Sequence, residues 1–270
     1  MEILIKIATF FLLISFFVYL LYVIYYTLDL FFLNPFERIP TLSDNEKRLI
    51  ALNLPFYLTL NTRLKKRFER RVTRFRQRKK IIFHSEVNDQ EEIKLLLSAT
   101  AAMLTLGMAD FLILSIKRIL IYPTAYYSRI SKQHHYGEYN PSLKTLVLSA
   151  EHLREGFRIP NDSLNLAVHE FAHALSFNVV NKLNTRSFLF MIGMARMERL
   201  LKNPKFIAQW ADNKYFREYG RVNSHEFFAV AVESFVETPT DFKHHFPELY
   251  KTLQFMLNMG FYKLPDDIKN

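Results

Sequence analysis

The sequence contains no cysteine. That excludes disulfides, thiolate metal ligands and cysteine nucleophiles, so any bound metal must be held by His, Asp or Glu. It fits a reducing compartment. Internal repeats and low-complexity tracts are also absent. Half of the 270 residues are apolar and 15% are aromatic, which argues against intrinsic disorder. The length suffices for one domain with a sizeable core, or at most two small ones.

Charge is missing from the run between Ile7 and Leu28, IATFFLLISFFVYLLYVIYYTL. At ~1.5 Å per residue this run would cross a ~30 Å hydrocarbon core. Tyr22, Tyr25 and Tyr26 lie near one end, where amphipathic rings favour the interface. No small-x-small cleavage site follows, so a retained anchor is expected over a cleaved signal peptide. Only Lys6, beside Glu2, precedes the run, whereas Arg38, Lys47 and Arg48 follow it. The positive-inside rule then places the rest of the chain in the cytoplasm, as a single-pass protein of a bacterial inner membrane. A second apolar stretch, residues 95–116, contains Asp110 and is interrupted by Gly107. A central Asp costs about 2.5–3.5 kcal/mol on insertion scales, so this stretch is expected to be a buried helix ending near Gly107.

The net charge is +10, unevenly distributed. Residues 63–80, RLKKRFERRVTRFRQRKK, hold eleven Lys or Arg and one acid, Glu69. Leu60, Leu64, Phe68, Val72 and Phe75 recur at helical spacing, which predicts a helix packed on one side with its charges outside. Such a face could also meet anionic lipid; nucleic acid is not an expected partner. Short β-like runs are IIFH (81–84), RILIY (118–122) and TLVLS (145–149), with a loop or hairpin arm between the last two. The expected organisation is an anchor (1–33), a linker and lead-in region marked by prolines (34–53), and a domain (54–270) that is α+β, mainly helical with a small β-sheet.

Residues 167–177 read AVHEFAHALSF. A helix over 161–179 is predicted, with Asp162 or Ser163 as its cap and Leu164, Val168, Phe171, Leu175 and Val179 as its apolar stripe. His169 and His173 are then one turn apart on one face and can reach a single metal ion. Glu170 lies ~100° round the helix, beside the metal rather than on it, where it can take a proton from water. This is H-E-x-x-H, the zinc metallopeptidase pattern. A catalytic zinc usually takes a third protein ligand. The segment NSHEFFAVAVESFVETP (223–239), capped by Asn223 or Ser224, offers Glu226 and Glu233 on one helical face. One can ligate and the other can orient a ligand.

With these residues assembled, the chain resembles the MtfA-type (Mlc titration factor A) zinc peptidases from about Leu54 to Leu257. LPFYLTLNTRLKKRFERRVTRF looks like the family's basic opening helix, ILIYP followed by Gly137 and Glu138 is similar to its next landmark, and LAVHEFAHALS matches its H-E-F-A-H helix. SHEFFAVAVESFVETPTDFKHHFPELYKTLQFM resembles its closing segment. The resemblance implies a zincin-like fold and one zinc ion. It makes His169, His173 and Glu226 the metal ligands, Glu170 the general base and Tyr219 an oxyanion stabiliser, with Glu233 in a supporting place. It implies a peptide or protein substrate, hydrolysed by zinc-activated water. Two departures stand out. Ser176 occupies a position where the family commonly has Asp, and typical members lack the N-terminal anchor. The alternative is a catalytically weak or inactive interaction protein on the same fold, binding a regulatory protein partner in the cytoplasm.

Overall fold

The computed structural model describes residues 2–27, 40–128, 132–159, 161–180, 185–213, 215–217, 220 and 222–261. The chain divides into two compact units, Met1–Pro40 and Thr41–Asn270. The first holds helix α1 (Glu2–Thr27), exposed from Glu2 to Ile24 and apolar enough, over Glu2–Tyr25, to be a membrane span or a signal sequence.

The second unit opens with α2 (Asp44–Asn53) and the single turn α3 (Phe56–Thr59), followed by α4 (Thr62–Arg78), β1 (Lys80–Phe83) and α5 (Gln90–Leu104). Strands β2 (Arg118–Tyr122), β3 (Tyr126–Ser128), β4 (Gln133–His135), β5 (Gly137–Asn140) and β6 (Thr145–Ser149) come next. The rest is helical: α6 (Ala150–Arg158), α7 (Leu166–Val180), α8 (Thr185–Leu201), α9 (Pro204–Asn213), α10 (Ser224–Glu237), α11 (Pro239–His245) and α12 (Pro247–Met256). The unit is mainly helical α+β, as expected. Residues 44–53, read as lead-in, form α2, closed by a capping box in which Ser43 and Glu46 satisfy each other's backbone amides.

One four-stranded sheet has the order β1-β2-β6-β5. β1, β2 and β6 run parallel, and β5 adds antiparallel to β6 at the edge. Ile119, Ile121, Leu146 and Leu148 are buried, as central parallel strands require. β3 and β4 form a separate hairpin. β5 came from the stretch read only as a loop or hairpin arm. All four of its residues are half-buried, so it carries no in–out alternation to reveal it.

The apolar stretch at 95–116 holds a buried helix rather than a span. α5 ends at Leu104 just before Gly107, and its residues from Leu95 onward are buried. A side chain at Gly107 would collide with the Asn258 backbone, its Cβ only 2.1 Å from the carbonyl oxygen, so only glycine fits. The predicted stripe of α4 packs inward through Phe68, Val72 and Phe75, and Phe75 meets Phe171 of α7 edge-on at 5.9 Å.

Much of the basic run of α4 serves the interior. Arg71 is fully buried, donates to the carbonyls of Thr105 and Leu106, and lies over the Phe111 ring. Arg76 pairs with Glu46 at 2.5 Å. Lys79 donates to the carbonyls of Ile113 and Ile116, and its burial pulls its pKa down to about 8.

The motif helix starts later than its sequence suggests. α7 begins at Leu166 and its cap is Asn165, whose Oδ1 accepts from the Val168 amide at 3.2 Å. Asp162 instead accepts from the Leu164 amide, and Ser163 is left-handed at φ 57°. The chain therefore turns where a cap was expected, and Leu164 is exposed rather than part of the stripe. Val168, Phe171 and Leu175 are buried as predicted.

Candidate metal centre

α7 and α10 pack face to face and bring His169, His173 and Glu226 together, the three residues that resemblance assigned as ligands. Nε2 of His169 and Nε2 of His173 are 3.1 Å apart, and Glu226 Oε2 lies 3.3 Å from each. Asn223 caps α10 by accepting from the amides of His225 and Glu226, which fixes the first turn that carries the ligand.

Glu233 lies two turns further along the same face. The Nδ1–H of His169 donates to its Oε1 at 2.6 Å. A carboxylate only accepts, so Nδ1 carries a proton and Nε2 is the nitrogen left to ligate a metal. Glu226 Oε2 is buried and has no hydrogen-bond donor. Three potential ligand atoms thus converge on one point. Tetrahedral zinc with bonds of ~2.0–2.1 Å sets its ligand atoms about 3.3–3.4 Å apart, and this triangle fits. Electrostatics also favour a cation. Burial works against charge on His169, yet Glu226 and Glu233 outweigh it and raise its pKa to about 10. Burial raises Glu226 in turn, but the two histidines overcome that and hold it below the usual carboxylate range.

Glu170 points to the same place from the next position on α7. It is 6% exposed, and its Oε2 is buried without a partner. Burial raises its pKa, and Glu226 and Glu233 add to the rise against the two histidines. A carboxyl so placed is suited to gain and lose a proton.

The edge strand β5 makes room for it. A Cβ on Gly137 would stand 2.8 Å from Glu170 Cγ and 2.7 Å from Leu166 Cδ1. Both neighbours are side-chain atoms that can shift, so Gly137→Ala is expected to move Glu170 rather than unfold the chain. A fall in kcat of about ten- to hundredfold with metal content unchanged is expected. Wild-type kcat in this variant would show that the contact does not position Glu170.

Arg217 was not anticipated. Its guanidinium donates to Glu233 Oε1 at 2.5 Å, so the acid behind His169 is itself held. Phe216, beside Arg217, is set by an aromatic cluster in which Trp210 donates to the Phe216 carbonyl at 3.0 Å and stacks on Phe227 of α10. The pair spans sixteen residues and two elements, and only the need of buried Glu233 for a cation could have hinted at it. Ser176 is buried; its hydroxyl donates to the His173 carbonyl at 2.8 Å and lies 3.4 Å from His225 Nδ1. Among the described residues no carboxylate supports His173 as Glu233 supports His169. Tyr219 lies outside the described residues. A cavity of about 420 Å³ runs from His169 and Glu170 past Arg217 to His134, Tyr136 and His152. Tyr136 and His152 stack there with ring centroids 3.9 Å apart.

This geometry has a counterpart among known proteins. The model of the glucose-regulated metallo-peptidase M90 family matches residues 37–257. The chain belongs to that family, the MtfA family of metallopeptidases. An M90 peptidase needs a metal, and the His169, His173 and Glu226 cluster is consistent with one. The chain is also similar to the uncharacterized protein slr2042 of Synechocystis sp., 27% identical over 226 residues, covering 76% of this chain and 80% of the relative.

One further acid of this M90 peptidase lies at the end of α10. Burial pushes the Glu237 carboxyl up to about 8, and Glu233 and Asp162 add to it against hydrogen bonds from Asn165 and the Ser163 backbone. A raised folded-state pKa gives stability that is full below the ordinary carboxylate value and is lost as pH rises through about 8. Glu237→Gln is therefore expected to match wild type in thermal melts at pH 4 and to exceed it near pH 8 by on the order of a few °C.

Proposed function

We propose that this M90 peptidase is a membrane-anchored, zinc-dependent hydrolase of peptide bonds with a zincin-like domain in the bacterial cytoplasm. The observation that carries the chemistry is the converging triangle of His169, His173 and Glu226 atoms with the unpartnered Oε2 of Glu170 beside it. His169 and His173 would hold the ion through their ring nitrogens and Glu226 through its carboxylate. Zinc bound there supplies Lewis acidity toward a water and the scissile carbonyl. Glu170 takes the proton from the attacking water at Oε2, holds it in a buried site that favours the neutral acid, and returns it to the leaving amine. Glu233, fixed by Arg217, keeps the His169 ring in its tautomer and orientation. Tyr219, by the family resemblance, donates to the developing oxyanion. The cavity leading to Glu170 admits the peptide.

The anchor reading rests on the exposed apolar α1 and on the cations that follow it. A pure binding role is disfavoured by Glu170, because an interaction scaffold gains nothing from a buried carboxyl left without a partner. Stripping with a chelator is expected to abolish cleavage of a mixed peptide library, and stoichiometric zinc is expected to restore it. Full cleavage by the stripped protein would overturn the reading.

A further inference from the structure

The parallel strands β1, β2 and β6 begin at one end of the sheet, with Lys80 in register with Arg118 and Arg118 in register with Thr145. The segments that meet there are 78–80, 112–118 and 140–145. They contain Arg78, Lys79, Lys80, Lys117, Arg118 and Lys144 and no acid. Lys80, Lys117, Arg118 and Lys144 are exposed, and none has a carboxylate partner among the described residues. Like charges opposite one another across strands weaken a sheet, so the fold gains nothing from Lys80 facing Arg118.

Two leucines stand out of this basic end, Leu114 at 57% and Leu143 at 51% exposure. Neither sits on a loose loop. Ile113 and Ile116 on either side of Leu114 are buried, and the Lys79 ammonium donates to both their carbonyls. Ile113 is held left-handed at φ 47°, a conformation a β-branched side chain adopts only when its surroundings impose it. Lys144, next to Leu143, is also left-handed at φ 49°, and its carbonyl accepts from the Lys117 amide at 2.7 Å, tying the two loops together. Two rigid apolar projections are thus ringed by cations. That combination suits an interface with charged headgroups above and hydrocarbon below.

We infer that this end of the sheet, through Leu114, Leu143, Lys80, Lys117, Arg118 and Lys144, docks the domain on an anionic phospholipid bilayer. Lys80 is this face's share of residues 63–80; Arg71, Arg76 and Lys79 of that run are engaged inside the domain. The inference rests on the anchor reading only for proximity. Residues 28–40 connect α1 to Thr41 and reach at most about 50 Å when extended. The orientation has a consequence for catalysis. Gly137, which touches Glu170, pairs with Leu148 near the far end of β6, about 10 Å along the strand from Thr145. With the basic end on lipid, Gly137 and the Glu170 beside it are set back from the bilayer, which favours soluble chains over membrane segments as substrates.

The test uses the full chain carrying Leu114→Trp, reconstituted into neutral vesicles and into vesicles rich in phosphatidylglycerol, each with brominated acyl chains. The native Trp210 is the sole tryptophan of wild type and is buried, so it serves as the unquenched control. Quenching at position 114 is expected on anionic vesicles only. The combined changes Lys117→Glu, Arg118→Glu and Lys144→Glu are expected to abolish it while leaving peptide cleavage in detergent unchanged. Equal signals on the two vesicle types, or quenching that survives charge reversal, would overturn the proposal. Flotation with neutral vesicles tests the anchor separately, since α1 needs no lipid charge.

Discussion

Glu170→Gln is expected to keep stoichiometric zinc and lose peptide cleavage by about 10²–10⁴-fold, the range a positioned general base contributes. The substitution preserves shape, which matters because Gly137 packs directly on this side chain. Glutamine cannot take a proton from water at that position or return one to an amine. Folding is not at risk, because burial already pushes Glu170 toward its neutral form, which the amide imitates. Thermal stability should therefore equal or exceed wild type. Metal analysis, a melting curve and cleavage of a peptide library on the same sample separate the outcomes. A variant that loses zinc along with activity would make Glu170 a ligand. One that keeps full activity would remove it from proton transfer.

The residues of this site were legible because helical periodicity alone places them. His169 and His173 at i and i+4, and Glu226 and Glu233 seven apart, share faces whatever the tertiary fold does, and the two helices needed only to meet. The strands β1, β2 and β6 were readable for a similar reason: buried parallel strands are short continuous apolar runs. What escaped depends on tertiary contacts. The start of α7 was misjudged because Asp162 and Asn165 are both good caps, and the left-handed turn at Ser163 decides between them. β5, GEYN, has no periodic pattern and becomes a strand only by pairing with β6. Arg217 could not be assigned, since its place beside Glu233 is set by the packing of Trp210, Phe216 and Phe227. The excess of cations in α4 was visible, but not that Arg71 would be spent on the carbonyls that follow α5.

The departure at Ser176 acquires a meaning in this geometry. A hydroxyl there returns to the carbonyl of its own helix, and among the described residues His173 lacks the carboxylate support that Glu233 gives His169. Orientation of the metal site therefore leans on one side, the chain His169–Glu233–Arg217. Glu226→Gln and Glu233→Gln should accordingly differ in kind. Glu226 offers an anionic oxygen to the cluster itself, 3.3 Å from both histidine nitrogens, and a neutral amide there should cost stoichiometric zinc retention and all measurable cleavage. Glu233 is 1% exposed and meets the far side of His169 and Arg217. Glutamine can still accept from His169 Nδ1–H, so zinc should bind, weakened by about 10–100-fold. Competition with a fluorescent chelator measures both affinities on folded protein, and Arg217→Ala should fall between wild type and Glu233→Gln because the acid remains. Equal loss in the two glutamate variants would make Glu233 a direct ligand. Wild-type affinity in Glu226→Gln would leave the histidines without their third partner and require the ligand set to be drawn again.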